Sequence, residues 1–335
     1  MLLEFDADQR LWQETVRDAV TKQCPASLIR GIAENGVDPS PLWKTYVDAG
    51  WTELADPENA VELAIVLEEL GRATDPTPFL ATLTQFAPLI GAGFDPQQAG
   101  TAVYGGVSAY RDADGWRLSG TARYVLDGDR AERLAVVTDA GVFVVDADQV
   151  TTRRTAVFDP VLHIAEVSLL DVHLPDTARV KADVERARHV ALTGMAITTV
   201  GACQRILDLV IEHVKQRQQF GVAIGSFQAV QHKTVDMHVA TERARALAYF
   251  AALTIAADDP RRRLAAAMAK ASAGEAQALV FRHGLQLFGA MGFTWENDLQ
   301  FALKRAKAGE LLLGGAAEHR AVIAEEYRSN GAADF

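Results

Sequence analysis

Arg217, Phe220, Ile224, Phe227 and Gln228 are the residues of this chain whose types and spacing best suit chemistry on a dinucleotide. An arginine ends a long apolar helical run, a glycine turn follows at Gly221, and a Phe-Gln pair opens the next run. A guanidinium so placed can clamp a pyrophosphate through two parallel N–H···O bonds. Phe220 and Phe227 can line a slot for an adenosine, and Gln228 can add a fixed hydrogen bond. The same pattern fits an arginine that complements a helix dipole beside two packing aromatics. Spacing alone leaves both readings open. Gln286-Leu287-Phe288-Gly289 reads on its own as a glycine-terminated helix end. Leu311-Leu312-Leu313-Gly314-Gly315 holds no group that accepts a proton. Its nearest carboxylate, Glu310, reads as a solvated side chain beside Lys307.

The remaining candidates are few. The eight histidines form no metal-like set. His232 and His238 fall on different helix faces, and His213 and His319 read as surface residues. There is no serine nucleophile elbow, no P-loop and no GxGxxG after a strand. No metal site is expected.

Three zones must position these residues. Residues 5 to about 92 read helical, starting at Asp6 and Asp8, with Leu11, Trp12, Val16 and Val20 as the apolar positions of the first helix. Leu63, Val66, Leu67 and Leu70 repeat at helical spacing. Residues 102 to about 178 carry short runs of Val, Tyr, Thr and Trp between turn signals, an antiparallel β pattern. Residues 183–330 return to helix in four long amphipathic runs, the second opening at Ser226 and the fourth being GAAEHRAVIAEEYRS, which suggests an antiparallel bundle.

Composition bounds the function. A chain of 335 residues, 49% hydrophobic, can bury a large core in two or three domains. Its net charge of −11, with no basic run, argues against nucleic acid as a partner. Two distant cysteines, Cys24 and Cys203, fit a reducing compartment. Glu4, Asp6 and Asp8 stand where a signal peptide would be basic. No apolar run reaches the ~20 residues of a bilayer span. Cytoplasmic and off the membrane is the expectation.

The segments around Arg217, Gln286 and Lys304-Arg305-Ala306-Lys307, in the order helical, β, four-helix, resemble the flavin-dependent acyl-CoA dehydrogenase family. The resemblance implies an N-terminal helical domain over 1–92, a small antiparallel β domain over 93–180 and a C-terminal four-helix bundle over 181–335. It implies that Arg217, Phe220, Ile224, Phe227 and Gln228 contact the pyrophosphate and adenosine of an FAD seated in a neighbouring subunit. It gives Gln286 and Gly289 the adenine end, although the family's second glycine is Ala290 here. It also implies an acyl-CoA substrate and α,β-desaturation.

Several family features are missing. The position of the usual glutamate base is Leu313, and the alternative position on the first bundle helix is Ala191. The nearest spare carboxylates are Glu310 and Glu185. Gly314-Gly315-Ala316-Ala317 stands where Gly-Thr-x-Gln is usual. Leu118–Leu126 resembles the family's flavin-facing strand, but Tyr124 replaces its Trp and Leu126 its Thr. The losses fall on the chain's own flavin pocket. The expectation is therefore a non-catalytic subunit that completes the FAD site of an acyl-CoA dehydrogenase-like partner in an α2β2 heterotetramer, resembling the heteromeric enzymes of actinobacterial sterol side-chain breakdown. Two other readings stand beside it. One is an active homomeric FAD enzyme using a displaced carboxylate such as Glu310, and the other is a cofactor-free scaffold.

Overall fold

The computed structural model describes residues 4–331. The first helix, α1 (Ala7–Gln23), starts where Asp6 accepts from the Gln9 N–H at 2.8 Å and the Gln9 side chain bonds back to the Asp6 N–H, a capping box. Its inward face is Val16 and Val20, with Trp12 donating to the Glu62 carbonyl; Leu11, expected among the packing positions, is exposed. Next come α2 (Ala26–Asn35), α3 (Ser40–Asp48) and α4 (Ala60–Ala73). Two short pieces, α5 (Phe79–Ala81) and α6 (Ala87–Ile90), flank a π-helical turn.

The β region has eight strands, from β1 (Gly100–Tyr104), β2 (Val107–Arg111), β3 (Trp116–Leu126) and β4 (Arg133–Thr138) to β5 (Gly141–Asp146), β6 (Thr151–Arg154), β7 (Ile164–Leu174) and β8 (Arg179–Val180). They form two four-stranded sheets, ordered β1-β4-β5-β8 and β2-β3-β7-β6. The expected antiparallel pattern holds for every pair but one, because β1 runs parallel to β4. Such a pair needs a long connection, and the β2–β3 hairpin in the other sheet supplies it. Trp116, Leu118, Phe143 and Leu169 lie in the core of this region.

The chain then runs through α7 (Val184–Gln216), a hairpin of β9 (Gln218–Gln219) and β10 (Val222–Ala223), α8 (Gln228–Ala256), α9 (Arg262–Phe288), α10 (Leu299–Leu311) and α11 (Ala316–Gly331). The Lys304–Lys307 segment, read as motif alone, is thus a helix of its own, and α8 opens at Gln228, not at Ser226. Among the described residues α7 is the one helix long and apolar enough to cross a membrane, but 83% of its most apolar window is buried in the fold, as in a core helix.

Two compact units result: Asp38–Asp56 with Pro76–Ala191, and residues 4–37, 57–75 and 192–331. In the second unit, α4 is buried on all sides. Leu63, Val66, Leu67 and Leu70 are in the core as their spacing predicts, but so are Glu68 and Glu69. Glu68 accepts from Arg245 Nε at 2.8 Å and from the Tyr249 hydroxyl at 2.9 Å; Glu69 accepts from Arg17 at 2.7 Å. Arg245 also bonds Gln204 and Glu242, and Arg72 bonds Asp208. Buried charges survive only when paired and hydrogen-bonded, and this network satisfies them.

The small residues along α7 let α4 come close. A Cβ on Gly201 would lie 2.0 Å from the Glu68 carbonyl oxygen, and one on Gly71 would lie 2.2 Å from that of Thr198. Gly201→Ala must push the two backbones apart and is expected to cost about 1–3 kcal/mol, measurable by urea unfolding. An unchanged midpoint would mean that the helices separate freely.

Candidate functional site: an exposed arm and a clamped turn

The C-terminal end of α7 passes into the arm. The Arg217 N–H donates to the His213 carbonyl at 2.8 Å, and its own carbonyl accepts from Ile224 at 2.8 Å, which pins the base of the β9–β10 hairpin. Phe220 and Gly221 form the turn, with φ of 55° and 82°. Two consecutive positive φ values are the two-residue hairpin geometry that twist-matched strands require. Glycine adopts it freely, whereas a bulky Phe does so rarely and at a cost. The Phe220 ring is 93% exposed and meets Phe227 edge-to-face at 6.2 Å. Half-buried Ile224 packs at the margin of the bundle core, and exposed Gln228 is the first residue of α8.

The donor set fits a dinucleotide. The exposed Arg217 makes no ion pair among the described residues, and α8 starts without a side-chain cap. The positive end of that helix and the guanidinium both suit an anion, with an aromatic pair alongside. His213, expected on the surface, is half-buried and stacks on Phe288 at 4.2 Å. Its imidazole pKa is pulled down by burial and then by the Arg217 charge.

The second segment joins the first through a residue that the sequence did not single out. Gln286 Oε1 accepts from Lys233 Nζ at 2.9 Å, and Lys233 stands on α8 beyond Gln228. Its only signal in the sequence is a cation in that helix. Gly289 ends α9 at φ 60°, and a Cβ there would meet nothing within 4 Å. The backbone at Gly289 is thus open to a ligand's close approach. The arm and the Gln286–Gly289 segment belong to the same unit.

The turn that follows α10 is fixed in place. Leu313 takes φ 61° and Gly314 φ 94°. Lys270, 1% exposed, donates its ammonium to the carbonyls of Glu310 at 2.9 Å and Gly314 at 2.7 Å. Burial draws the Lys270 pKa down to about 8. His319 Nε2 lies 3.0 Å from the Leu313 carbonyl and is buried, which corrects its reading as a surface residue. Glu310 is less solvated than its sequence context suggests: its side chain is 16% exposed and is held by Lys307 at 2.8 Å. Ala191 is fully buried within α7, and Glu185 is exposed one turn before His189.

In the β region, Tyr124 lies in a register shift of β3 at φ 60° and points outward, 67% exposed. Leu126 is buried, and its carbonyl accepts from the Thr101 hydroxyl. No group of three or more metal-ligating side chains occurs among the described residues.

Comparison with known proteins adds three findings. The family description "Acyl-CoA dehydrogenase, C-terminal domain" matches residues 183–327. Acyl-CoA dehydrogenase IpdE2 of Mycobacterium tuberculosis is 30% identical over 319 residues, 91% of this chain and 93% of that protein; its Mycolicibacterium smegmatis counterpart is 29% identical over 92% and 94%. Among solved structures, the ChsE4-ChsE5 complex from Mycobacterium tuberculosis matches with a TM-score of 0.88 at 24% identity, covering 98% of this chain and 99% of that one. A variant of the Tcur3481-Tcur3483 steroid ACAD matches at 0.84 and 27% identity, covering 98% and 99%.

Proposed function

This chain belongs to the acyl-CoA dehydrogenase family, oxidoreductases that act on CH–CH bonds, and from that premise we infer that it serves as the non-catalytic half of a two-chain enzyme. The observation that carries this reading is an asymmetry. The arm keeps Arg217, Phe220, Ile224, Phe227 and Gln228 in and around a strained, solvent-facing turn, and Lys233 on the helix that Gln228 opens bonds Gln286. At the two positions that the resemblance gives to the family's base stand Leu313 and Ala191, the latter fully buried. The steroid ACAD relative, which pairs two chains, supports a steroid-derived acyl-CoA as the substrate class and a sister subunit as the partner.

In this reading Arg217 clamps the pyrophosphate of a dinucleotide held mainly by the sister subunit. Phe220 and Phe227 cover its adenosine, Gln228 fixes its orientation, and Lys233 holds the Gln286 amide toward its far end. FAD, when bound, supplies the electron acceptor for α,β-desaturation of the thioester. This chain's contribution is binding and exclusion of water. General-base catalysis is worth roughly 10²–10⁴-fold, so the proton at Cα leaves to a carboxylate of the sister chain. Glu310 is not available for that task while its carboxylate is tied to Lys307.

The test is to purify the chain alone and together with its sister chain. Flavin absorbance and acyl-CoA oxidation are expected only in the pair. A yellow, active preparation of this chain alone would overturn the reading, and a colourless pair would reduce it to a scaffold. In the pair, Arg217→Ala removes a charge-assisted, two-pronged contact worth about 1.5–3 kcal/mol, so FAD retention by equilibrium dialysis should fall about 10–100-fold. Leu313→Glu in the chain alone should leave activity at background, because the substitution restores a carboxylate and no flavin-facing hydroxyl. Measurable turnover by that variant would show that only the base is missing.

A further inference from the structure

We propose that a cleft between α1, α2, α4, α7 and α10 binds a small organic carboxylate through Arg205. The cleft encloses about 310 Å³, the lower end of the range for small-molecule sites. Its lining includes three arginines, Arg17, Arg72 and Arg205, and three buried apolar residues, Val20, Ile29 and Phe301.

The charges of this cleft leave one remainder. Arg17 is spent on Glu69 through bonds of 3.0 and 2.7 Å, and Arg72 on Asp208 at 2.6 Å. Asp298, also in the lining, is taken by Arg30 at 2.6 Å. Arg205 is half-buried and has neither a hydrogen bond nor an ion pair among the described residues. A guanidinium with no protein counter-ion is free to take one from solution, and its fork of donors matches a carboxylate in two-pronged geometry. A single uncancelled positive charge selects a monoanion over a phosphate dianion. The apolar residues of the lining can take a hydrocarbon body, and the volume admits a short chain such as that of hexanoate. The occupant is therefore a short-chain carboxylate, and its anchoring residue sits on α7, the helix that leads into the arm.

The test uses the full-length chain and thermal melts at constant ionic strength with hexanoate, hexylamine and inorganic phosphate. Hexanoate in about tenfold excess over its dissociation constant should raise the midpoint by about 2 °C. Hexylamine should not, and phosphate should do so less. Arg205→Gln should abolish the hexanoate effect and Arg205→Lys retain part of it, with far-UV circular dichroism to show that both are folded. Saturation-transfer NMR on the unsubstituted chain should give its strongest signal at the hexanoate methyl. The proposal is overturned if the shift persists in Arg205→Gln, if hexylamine reproduces it, if phosphate equals hexanoate, or if no shift occurs up to the solubility limit.

Discussion

Glu68→Ala is expected to lower the stability of this chain by about 3–5 kcal/mol, the loss that follows when one member of a buried ion pair is removed. Glu68 is 6% exposed and takes two bonds, from Arg245 Nε and from the Tyr249 hydroxyl. Without it, Tyr249 keeps a buried hydroxyl with no acceptor and Arg245 a largely buried guanidinium that has lost its Glu68 counter-ion. The remaining partners of Arg245, Gln204 and Glu242, cannot also satisfy Tyr249. Urea unfolding followed by circular dichroism reads the effect. The double variant Glu68→Ala with Arg245→Met separates a lost charge pair from a lost packing volume. If the double variant is as unstable as Glu68→Ala alone, the charge argument fails. A cost below about 1 kcal/mol for the single change, the range of exposed pairs, would show that water reaches Glu68.

The second large effect is a stability that rises in alkali. Lys270 has its pKa drawn from 10.5 to about 8 by burial, opposed by the nearby Glu310 and Glu318 charges. Below pH 8 the ammonium is charged in both folded and unfolded chains. Between pH 8 and 10.5 the unfolded chain keeps a proton that the folded chain has released, so unfolding takes up a proton and stability increases with pH. At 1.36 kcal/mol per pH unit the full gain is roughly 3 kcal/mol. A neutral amine still has two N–H groups for the two carbonyls of Glu310 and Gly314, so the clamp survives the loss of charge. The measurement is the difference in unfolding free energy between the natural chain and Lys270→Met from pH 7 to pH 10.5. A flat difference would show that Lys270 is neutral, or solvated, throughout.

The helical, β and helical zones were legible because hydrophobic period is a local property: Val16 and Val20, or Leu63 to Leu70, reveal a buried stripe without any knowledge of what covers it. What was hidden is non-local. The parallel pairing of β1 with β4 depends on strands brought together across a hairpin of the other sheet. The helix Leu299–Leu311 was masked because its basic residues read as a motif, yet Arg305 is buried there and reaches the Asp75 carbonyl at 2.6 Å. His213 and His319 look like surface residues by type, and only their neighbours, Phe288 and the Leu313 carbonyl, show that they are covered. Of the candidate site, the arm could be picked out as a local feature because its residues fall within twelve consecutive positions, Arg217 to Gln228. Lys233, Lys270 and the Arg205 cleft were not, because each owes its meaning to a group at least 50 positions away or, for Lys270, at least 40.

The outward-facing Phe220 has one more implication. A side chain 93% exposed at the tip of a strained turn adds little to the fold of its own chain. If its work is done on a cofactor lodged in a mate, then loading and assembly are two readings of one coupling free energy. Whatever factor the mate adds to flavin affinity, flavin must return to the affinity between the chains. Scarcity of riboflavin would then loosen the enzyme's quaternary structure as surely as it starves the reaction.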